Sequence, residues 1–248
     1  MKKSGSRGSA GASSEVSAMR ARLRALACPA QAANLQRFFK TGPGEYGEGD
    51  VFIGVKMPQI RSIVGEFKTF ELASAETLLE SEVHEERMLA LLLLVHRFEK
   101  CKDDDERRRI FELYLARTAH IDNWDLVDSS AAQIVGGYLA DRDRAVLQEL
   151  ARSELLWDRR IAMIATFYFI RRGDFDDALR IAAILKGDRE DLLHKAVGWM
   201  LREIGQRDLA AEEAFLKKHY RRMPRTMLRY AIEKLPEPRR QAYLKGTI

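Results

Sequence analysis

The spacing of apolar residues is the feature of this 248-residue chain that most limits its fold. From Val16 onward, apolar residues recur at the i, i+3 and i+4 positions that form the buried face of an α-helix. Alternating runs of apolar and polar residues bounded by turn residues, which are typical of β-strands, are nearly absent. The sequence therefore predicts an all-α protein.

The predicted helices fall into pairs separated by short polar stretches. The more apolar helix of each pair begins near positions 84, 123, 159, 195 and 225, a period of about 30 to 40 residues. Arrays of helix pairs have such periods because one pair cannot cover its own apolar face. The consensus residues of tetratricopeptide repeats are missing, so we expect an α-solenoid of HEAT-like repeats, curved and with a concave binding face. Segments long enough for about three turns include RAVLQELARSELL, RRIAMIATFYFIRR and PRTMLRYAIEKL.

Two regions depart from this helical pattern. Residues 1–17 are rich in Gly, Ser and Ala, which predicts a flexible tail before a single repeat domain over residues 18–248. Five glycines and a proline lie between Gly42 and Gly54; they exclude a continuous helix and predict an ordered loop. Pro58 then suits the first turn of a new helix.

Composition excludes several classes of protein. Lys and Arg number 42 against 37 Asp and Glu, a net charge of +5 that suits a polyanionic partner without requiring one. No apolar run is long enough to span a membrane, and the N-terminus lacks the apolar core of a secretion signal. Cys28 and Cys101 are too far apart in sequence to suggest a disulfide framework or a zinc site. A cytoplasmic protein fits best.

One motif resembles a metal site without completing it. The segment VHEERM, at positions 83–88, begins like the zinc-binding helix of metalloproteases. Met88 stands where that helix requires its second histidine, so no metal site is predicted.

The segment IDNWDLVDSS concentrates three aspartates and a tryptophan before an apolar run. Asp122 or Asn123 suits the N-cap of a helix, and Asp125 in the first turn favours the positive end of the helix dipole. Trp124 and Asp128 are then one turn apart on the same face. Helix capping does not explain a carboxylate beside an indole ring, so the pair is a candidate functional site. The alternative is a core tryptophan beside a carboxylate with an ordinary structural role.

NWDLVD, LWDRRIA and HKAVGWMLRE, together with FIGVKMPQIR upstream, resemble the AlkD-type DNA glycosylases, HEAT-like repeat proteins that excise alkylated bases. The resemblance covers about residues 35–233, and the motifs match in order and spacing. It implies a monomer that binds duplex DNA and hydrolyses the N-glycosidic bond of cationic bases, of the 3-methyladenine and 7-methylguanine type. The base is removed in base-excision repair without being flipped into a pocket, and neither a cofactor nor a metal is implied.

The resemblance also assigns roles to individual residues. Asp128 stabilises positive charge that develops on the sugar and orients water, between aromatic walls formed by Trp124 and Trp199. Arg160, next to Arg159, holds a backbone phosphate. Their alternatives are ordinary ones: Trp199 as a core aromatic residue, and Arg160 as a solvated residue at a helix start.

Active members of the family also press a tyrosine of an N-terminal helix against the DNA. In this sequence RFFK places Phe38 comparably, and Tyr46 in the following loop is a second candidate for DNA contact. The family includes members without base-excision activity, so a catalytically silent scaffold that binds DNA or protein is the alternative function. A steep loss of affinity with salt distinguishes DNA binding from protein binding.

Basic pairs recur near predicted helix ends, at positions 159–160, 171–172, 221–222 and 239–240. In a repeat array such pairs line up as a stripe that follows a DNA backbone. Alternatively, the cations simply complement the negative ends of helix dipoles.

Overall fold

A computed structural model describes the backbone of residues 7–248 and the side chains of residues 11–248. Over that range the chain is α-helical, as predicted, and its β-structure is limited to an isolated parallel bridge between Val51 and Val83. The chain divides into two compact units, the first ending at Ser130 and the second beginning at Ala131. The single domain over residues 18–248 and its concave face stay predictions.

The first unit is built around one long central helix. Its described α-helices are α1 (Arg7–Ala25), α2 (Pro29–Phe38), α3 (Met57–Glu66), α4 (Leu72–Leu79), α5 (His84–Lys100), α6 (Asp104–Ala116) and α7 (Trp124–Asp128), with a 3₁₀ turn at Thr118–His120. Helices α1, α3, α4, α6 and α7 all contact α5. Every residue of α5 from His84 to Val95 is buried, as expected of a helix covered on all sides.

Helix α1 begins at Arg7, so the structure differs from the flexible tail predicted for residues 1–17; residues 1–6 lie outside the described residues. Ala12, Val16, Met19 and Leu23 are buried and share one helix face at i, i+4, i+7 and i+11. The Gly/Ser/Ala composition suggested flexibility, but alanine is the best helix former and here also a core residue.

Residues 39–56, the glycine loop, contain no helix, as predicted. Gly54 has a φ of +87°, and a Cβ atom there would lie 2.1 Å from the carbonyl oxygen of Cys28. Only glycine combines this backbone conformation with so close an approach. Helix α3 follows the loop from Met57, with Pro58 in its first turn as predicted.

The second unit is also arranged around one helix. It contains a π-helical turn (Ala132–Gly136), α8 (Ala145–Leu150), α9 (Leu156–Ala165), α10 (Phe167–Ile170), α11 (Asp176–Leu185), α12 (Asp191–Gly205), α13 (Leu209–His219), α14 (Arg225–Ala231) and α15 (Glu237–Lys245), with 3₁₀ turns at Tyr220–Arg222 and Ile232–Lys234. Helices α9, α10, α11, α13 and α14 contact α12. A Cβ atom on Gly198 would lie 2.5 Å from the carbonyl oxygen of Met227, so this glycine permits close packing of α12 and α14.

Several helices of the second unit are shorter than the apolar pattern predicts. The segment RRIAMIATFYFIRR is divided between α9 and α10 at Thr166, whose hydroxyl donates a hydrogen bond to the carbonyl of Met163 at 2.6 Å. Such bonds to the preceding turn compete with the helix ladder. Helix α8 spans only six residues, and in the turn before α9 the Ser153 hydroxyl accepts a hydrogen bond from the Leu155 amide.

Candidate functional site

Helix α7 carries the two residues on which the catalytic prediction depends. Asn123 caps the helix, since its side-chain oxygen accepts a hydrogen bond from the Trp124 amide at 2.8 Å. Trp124 opens the helix and Asp128 closes it, so the two are one turn apart. Both side chains are half-buried. Trp124 is therefore not a fully enclosed core residue, and it remains accessible from one side.

Trp124 and Asp128 form part of the wall of a pocket of about 440 Å³ in the first unit. Phe38, at the end of α2, lies in the same wall. Most of the remaining wall is apolar and comes from α2, the glycine loop, α3 and α5: Leu35, Phe52, Val55, Met57, Ile60 and Met88. This volume is within the range of pockets that take small organic groups. The structure thus brings three predicted site residues together at one pocket.

Aromatic rings fix the orientation of Trp124. Its ring stacks on Phe39, with centroids 5.2 Å apart, and Phe39 stacks in turn on Phe52 at 5.0 Å. Phe38 meets Trp124 edge-on at 6.0 Å and is 64% exposed. Tyr46, the other candidate for DNA contact, lies half-buried in the glycine loop, outside the set of residues that line the pocket.

Beneath the aromatic stack lies a buried histidine between two carboxylates. His84 places Nδ1 3.1 Å from Asp50 and Nε2 2.9 Å from Asp125. Carboxylates only accept hydrogen bonds, so both ring nitrogens carry protons and His84 is a cation. Burial alone would lower the pKa of His84, but the hydrogen bonds to Asp125 and Asp50 outweigh it and raise that pKa to about 9.

The same contacts keep Asp50 ionised although it is buried. Burial by itself would raise the pKa of Asp50, but the hydrogen bond from His84 and the charge of Arg87 lower it to about 2. Arg87 also lies 3.1 Å from Asp122, while Asn123 donates a hydrogen bond to Asp50 at 2.9 Å. The site is therefore supported by ions that stay charged at neutral pH.

Asp128 also acts on a buried phenol behind α7. Burial raises the pKa of Tyr114 well above its usual range, the hydrogen bond to Ser130 opposes this, and the negative charge of Asp128 adds to it. Tyr114 and Ser130 are joined at 2.9 Å and both are fully buried. The inner side of α7 is thus a medium of low polarity, in which a charge acts more strongly than it does in water.

The other predicted site residues belong to the second unit. Arg160 is 4% exposed and donates a hydrogen bond to the carbonyl of Leu192 at 2.5 Å, so it is not the solvated residue of the alternative interpretation. Arg159 is paired with Asp188 at 2.8 Å.

Trp199 is half-buried, and its indole nitrogen donates to Glu203 at 3.1 Å. Phe167 lies beside it, with ring centroids 5.7 Å apart. Trp199 therefore does not fit the alternative of a fully buried core aromatic residue.

The basic pairs of the second unit have varied surroundings. Arg171 lies over the ring of Phe167 at 4.2 Å, and Arg172 lies over Tyr168 at 3.5 Å. Arg239 pairs with Glu213. Both arginines that lie over rings remain exposed, a combination that keeps the charge at the surface while fixing its position. The alignment of these pairs in one DNA-facing stripe stays a prediction.

Sequence reasoning did not identify His84 and Asp50 as part of the site. A signal was present, because HEER stands directly before the apolar run MLALLLLV, so charged residues begin a helix that must be buried. Buried charges are paired, which indicates partners elsewhere in the chain. Among residues 11–248, the structure holds no cluster of His, Cys, Asp and Glu arranged to bind a metal ion. No described helix is both long and apolar enough to cross a membrane.

Comparisons with known proteins give one family by sequence and related folds by structure. The sequence model of the family described as "DNA alkylation repair enzyme" matches residues 19–235. A predicted DNA alkylation repair enzyme from Enterococcus faecalis superposes with a TM-score of 0.64 at 19% identity, covering 84% of this chain and 96% of that one. AlkD2 from Streptococcus mutans superposes with a TM-score of 0.53 at 18% identity, covering 82% and 96%. At these identities the structural likeness concerns the fold. No curated protein matches the sequence.

Proposed function

Because this chain belongs to the DNA alkylation repair enzyme family, we propose that it is a DNA glycosylase that removes cationic alkylated bases from duplex DNA. The observation that carries the proposal is the placement of Asp128 and Trp124, one turn apart, in the wall of an accessible pocket. The substrates are bases of the 3-methyladenine and 7-methylguanine type, excised without being flipped into an enclosed site.

The chemistry requires little from the protein besides placement and charge. An alkylated purine of this type is already cationic, so its glycosidic bond breaks with the electron pair moving to the base, which leaves neutral. Positive charge then develops on the sugar, where the carboxylate of Asp128 stabilises it. Water adds at C1′ and loses a proton, and Asp128 orients that water. No general acid is needed for the leaving group.

Aromatic and basic residues also contribute to the proposed reaction. The ring of Trp124 in the first unit and that of Trp199 in the second each present an electron-rich face to a cationic group of the substrate, an attraction of about 0.5 to 2 kcal/mol. Exposed Phe38 and, in the loop, Tyr46 contact the DNA near the lesion. Arg160 and Arg159 interact with the phosphate backbone of the DNA.

The proposal is tested by the release of free 7-methylguanine and 3-methyladenine from methylated duplex DNA. We expect release by the wild type and a fall of about 10² to 10³ for Asp128→Asn, the usual range when one transition-state contact is removed. Asp105→Asn, an exposed carboxylate on α6, is the matched control and should behave as wild type. Equal release by wild type and Asp128→Asn would contradict the mechanism.

A catalytically silent scaffold is the second candidate, and one observation favours it. The chain between α2 and α3 is the glycine loop rather than a helix that presents a tyrosine, and Tyr46 lies outside the pocket wall. For such a scaffold, wild-type protein releases no base but binds duplex DNA with a steep salt dependence.

A further inference from the structure

The four charged residues that open α5 are the motif that sequence reasoning set aside as an incomplete zinc helix. His84, Glu85, Glu86 and Arg87, the HEER cluster, are each no more than 3% exposed. Charged side chains are almost never this buried unless they are paired. Their partners lie mainly in two places, the glycine loop and the start of α7.

The HEER cluster ties the glycine loop to α5. The carboxylate of Glu85 accepts hydrogen bonds from the consecutive backbone amides of Ile53, Gly54 and Val55, the shortest at 2.8 Å. Arg87 donates a hydrogen bond to Asp50 in the same loop. A loop with five glycines loses much conformational entropy on ordering, so these charge-assisted bonds define one conformation.

The start of α7 is held at three consecutive residues. Asn123 donates to Asp50, Trp124 stacks on Phe39, and Asp125 binds His84. Two of these partners come from the glycine loop and one from α5. His84 hydrogen-bonds both the loop, through Asp50, and α7, through Asp125.

Helix α7 needs such external support because it has only five residues. A helix of this length is unstable in water by itself, and its position in a protein comes from tertiary contacts. Asp128 lies one turn beyond the clamped residues. Contacts made at the start of the helix therefore help to place the backbone that carries Asp128.

We infer that His84 is a positioning residue: by holding Asp125 on one side and Asp50 on the other, it fixes α7 so that Asp128 and Trp124 face the pocket. This inference rests on the proposed function of those two residues. Buried ion pairs contribute little net stability compared with apolar packing, but they define geometry. In catalysis, a misplacement of about 1 Å costs about 10²-fold in rate.

The test compares single-turnover base release by His84→Gln and by His96→Gln. Glutamine is uncharged and carries both of its donors on one nitrogen, so it does not reproduce an imidazolium that donates from opposite sides of the ring. His96 lies on the same helix α5 outside the cluster. We expect His84→Gln to lower the rate by about 10²-fold while its affinity for undamaged duplex stays within about twofold, since binding relies on other residues. His96→Gln should match the wild type.

A double-mutant comparison separates positioning from general damage. If His84 acts mainly by placing Asp128, adding His84→Gln to Asp128→Asn lowers the residual rate by much less than the loss of about 10²-fold expected in the wild-type background. A loss as large as the one in the wild-type background would overturn the inference. So would a folded His84→Gln protein that releases base at a rate within about threefold of wild type. Should His84→Gln fail to fold, Asp125→Asn replaces it, because the buried Asp50–His84–Arg87 contacts then remain.

A second readout keeps this inference distinct from the proposed function. If the wild type releases no base, the glycosylase proposal fails, but the position of α7 is still reported by the indole proton resonance of Trp124. A changed resonance in His84→Gln and an unchanged one in His96→Gln support the clamp. An unchanged resonance in both variants refutes it.

Discussion

The two compact units stabilise their central helices differently. Beside α5, the first unit holds a glycine loop in place with buried charges, with His84 between Asp50 and Asp125. The central helix α12 of the second unit buries only apolar residues and Gly198, and this glycine permits close helix packing. In the first unit buried charge fixes the glycine loop and the short helix α7 beside the pocket, whereas close packing in the second unit fixes long helices against one another. We therefore expect the first unit to supply the reacting carboxylate and the second to contribute binding.

The largest expected effect on stability distinguishes Gly54, which has a positive φ, from Gly198, which does not. Gly54→Ala places a methyl group 2.1 Å from the Cys28 carbonyl at a φ of +87°, so we expect the free energy of unfolding to fall by about 3 kcal/mol. Gly198→Ala meets the Met227 carbonyl at 2.5 Å without a positive φ, and should cost about 2 kcal/mol. Urea denaturation measures both.

Gly44→Ala is the matched control for the loop. Its φ is +76°, but a Cβ atom there meets nothing within 4 Å, so only backbone strain of about 1 kcal/mol is expected. If Gly44→Ala were as damaging as Gly54→Ala, the close approach to the Cys28 carbonyl would not be the reason that position 54 requires glycine.

A pH effect is expected from the charged support of the first unit. Hydrogen bonds to Asp125 and Asp50 overcome burial and raise the pKa of His84 from 6.5 to about 9. Because the folded-state pKa is the higher one, the stabilisation is complete below pH 6.5 and is lost as the pH rises toward 9. The free energy of unfolding should fall more across this window for the wild type than for His84→Gln. Equal falls in urea denaturation would exclude His84 as the cause.

A smaller effect tests the contribution of the second unit to base release. Trp199→Leu removes an aromatic face worth about 0.5 to 2 kcal/mol, so release should slow by about 2- to 30-fold. Trp157→Leu is the control, since Trp157 is a half-buried tryptophan of the same unit to which no role in base release is assigned. Unaltered release by Trp199→Leu, with the thermal midpoint unchanged, would contradict the proposed role of Trp199.

The smallest expected effect concerns the salt dependence of DNA binding. If Arg160 contacts a phosphate, Arg160→Ala lowers the slope of log K against log salt by about 1. Arg152→Ala, an exposed arginine of the same unit, controls for general loss of charge. A slope unchanged in Arg160→Ala, together with lower stability, would assign Arg160 a structural role through Leu192.

The helical class and the glycine loop were predictable because apolar spacing and glycine content act locally. Helix α1 was not predictable, because the Gly/Ser/Ala composition of its first half suggests a tail although Ala12 lies on its buried face. One predicted helix is divided at Thr166, whose hydroxyl donates a hydrogen bond to the Met163 carbonyl. The spacing of apolar residues carries no information about such a bond.

The site was predictable only in part. Trp124 and Asp128 were identified because their spacing and the family resemblance point to the same face of one helix. The role of His84 was missed because its partners, Asp50 and Asp125, are distant in sequence and meet only through folding. The burial of Arg160 was missed because helix starts usually expose their cations.

The comparison of the two units is tested most directly by measuring saturating single-turnover rate and duplex affinity for Asp128→Asn and Arg160→Ala side by side. The division of roles predicts that Asp128→Asn loses about 10² to 10³ in rate while keeping its affinity. Arg160→Ala should keep the saturating rate and lose affinity. A full rate in Asp128→Asn, or a lost rate with intact affinity in Arg160→Ala, would contradict the account.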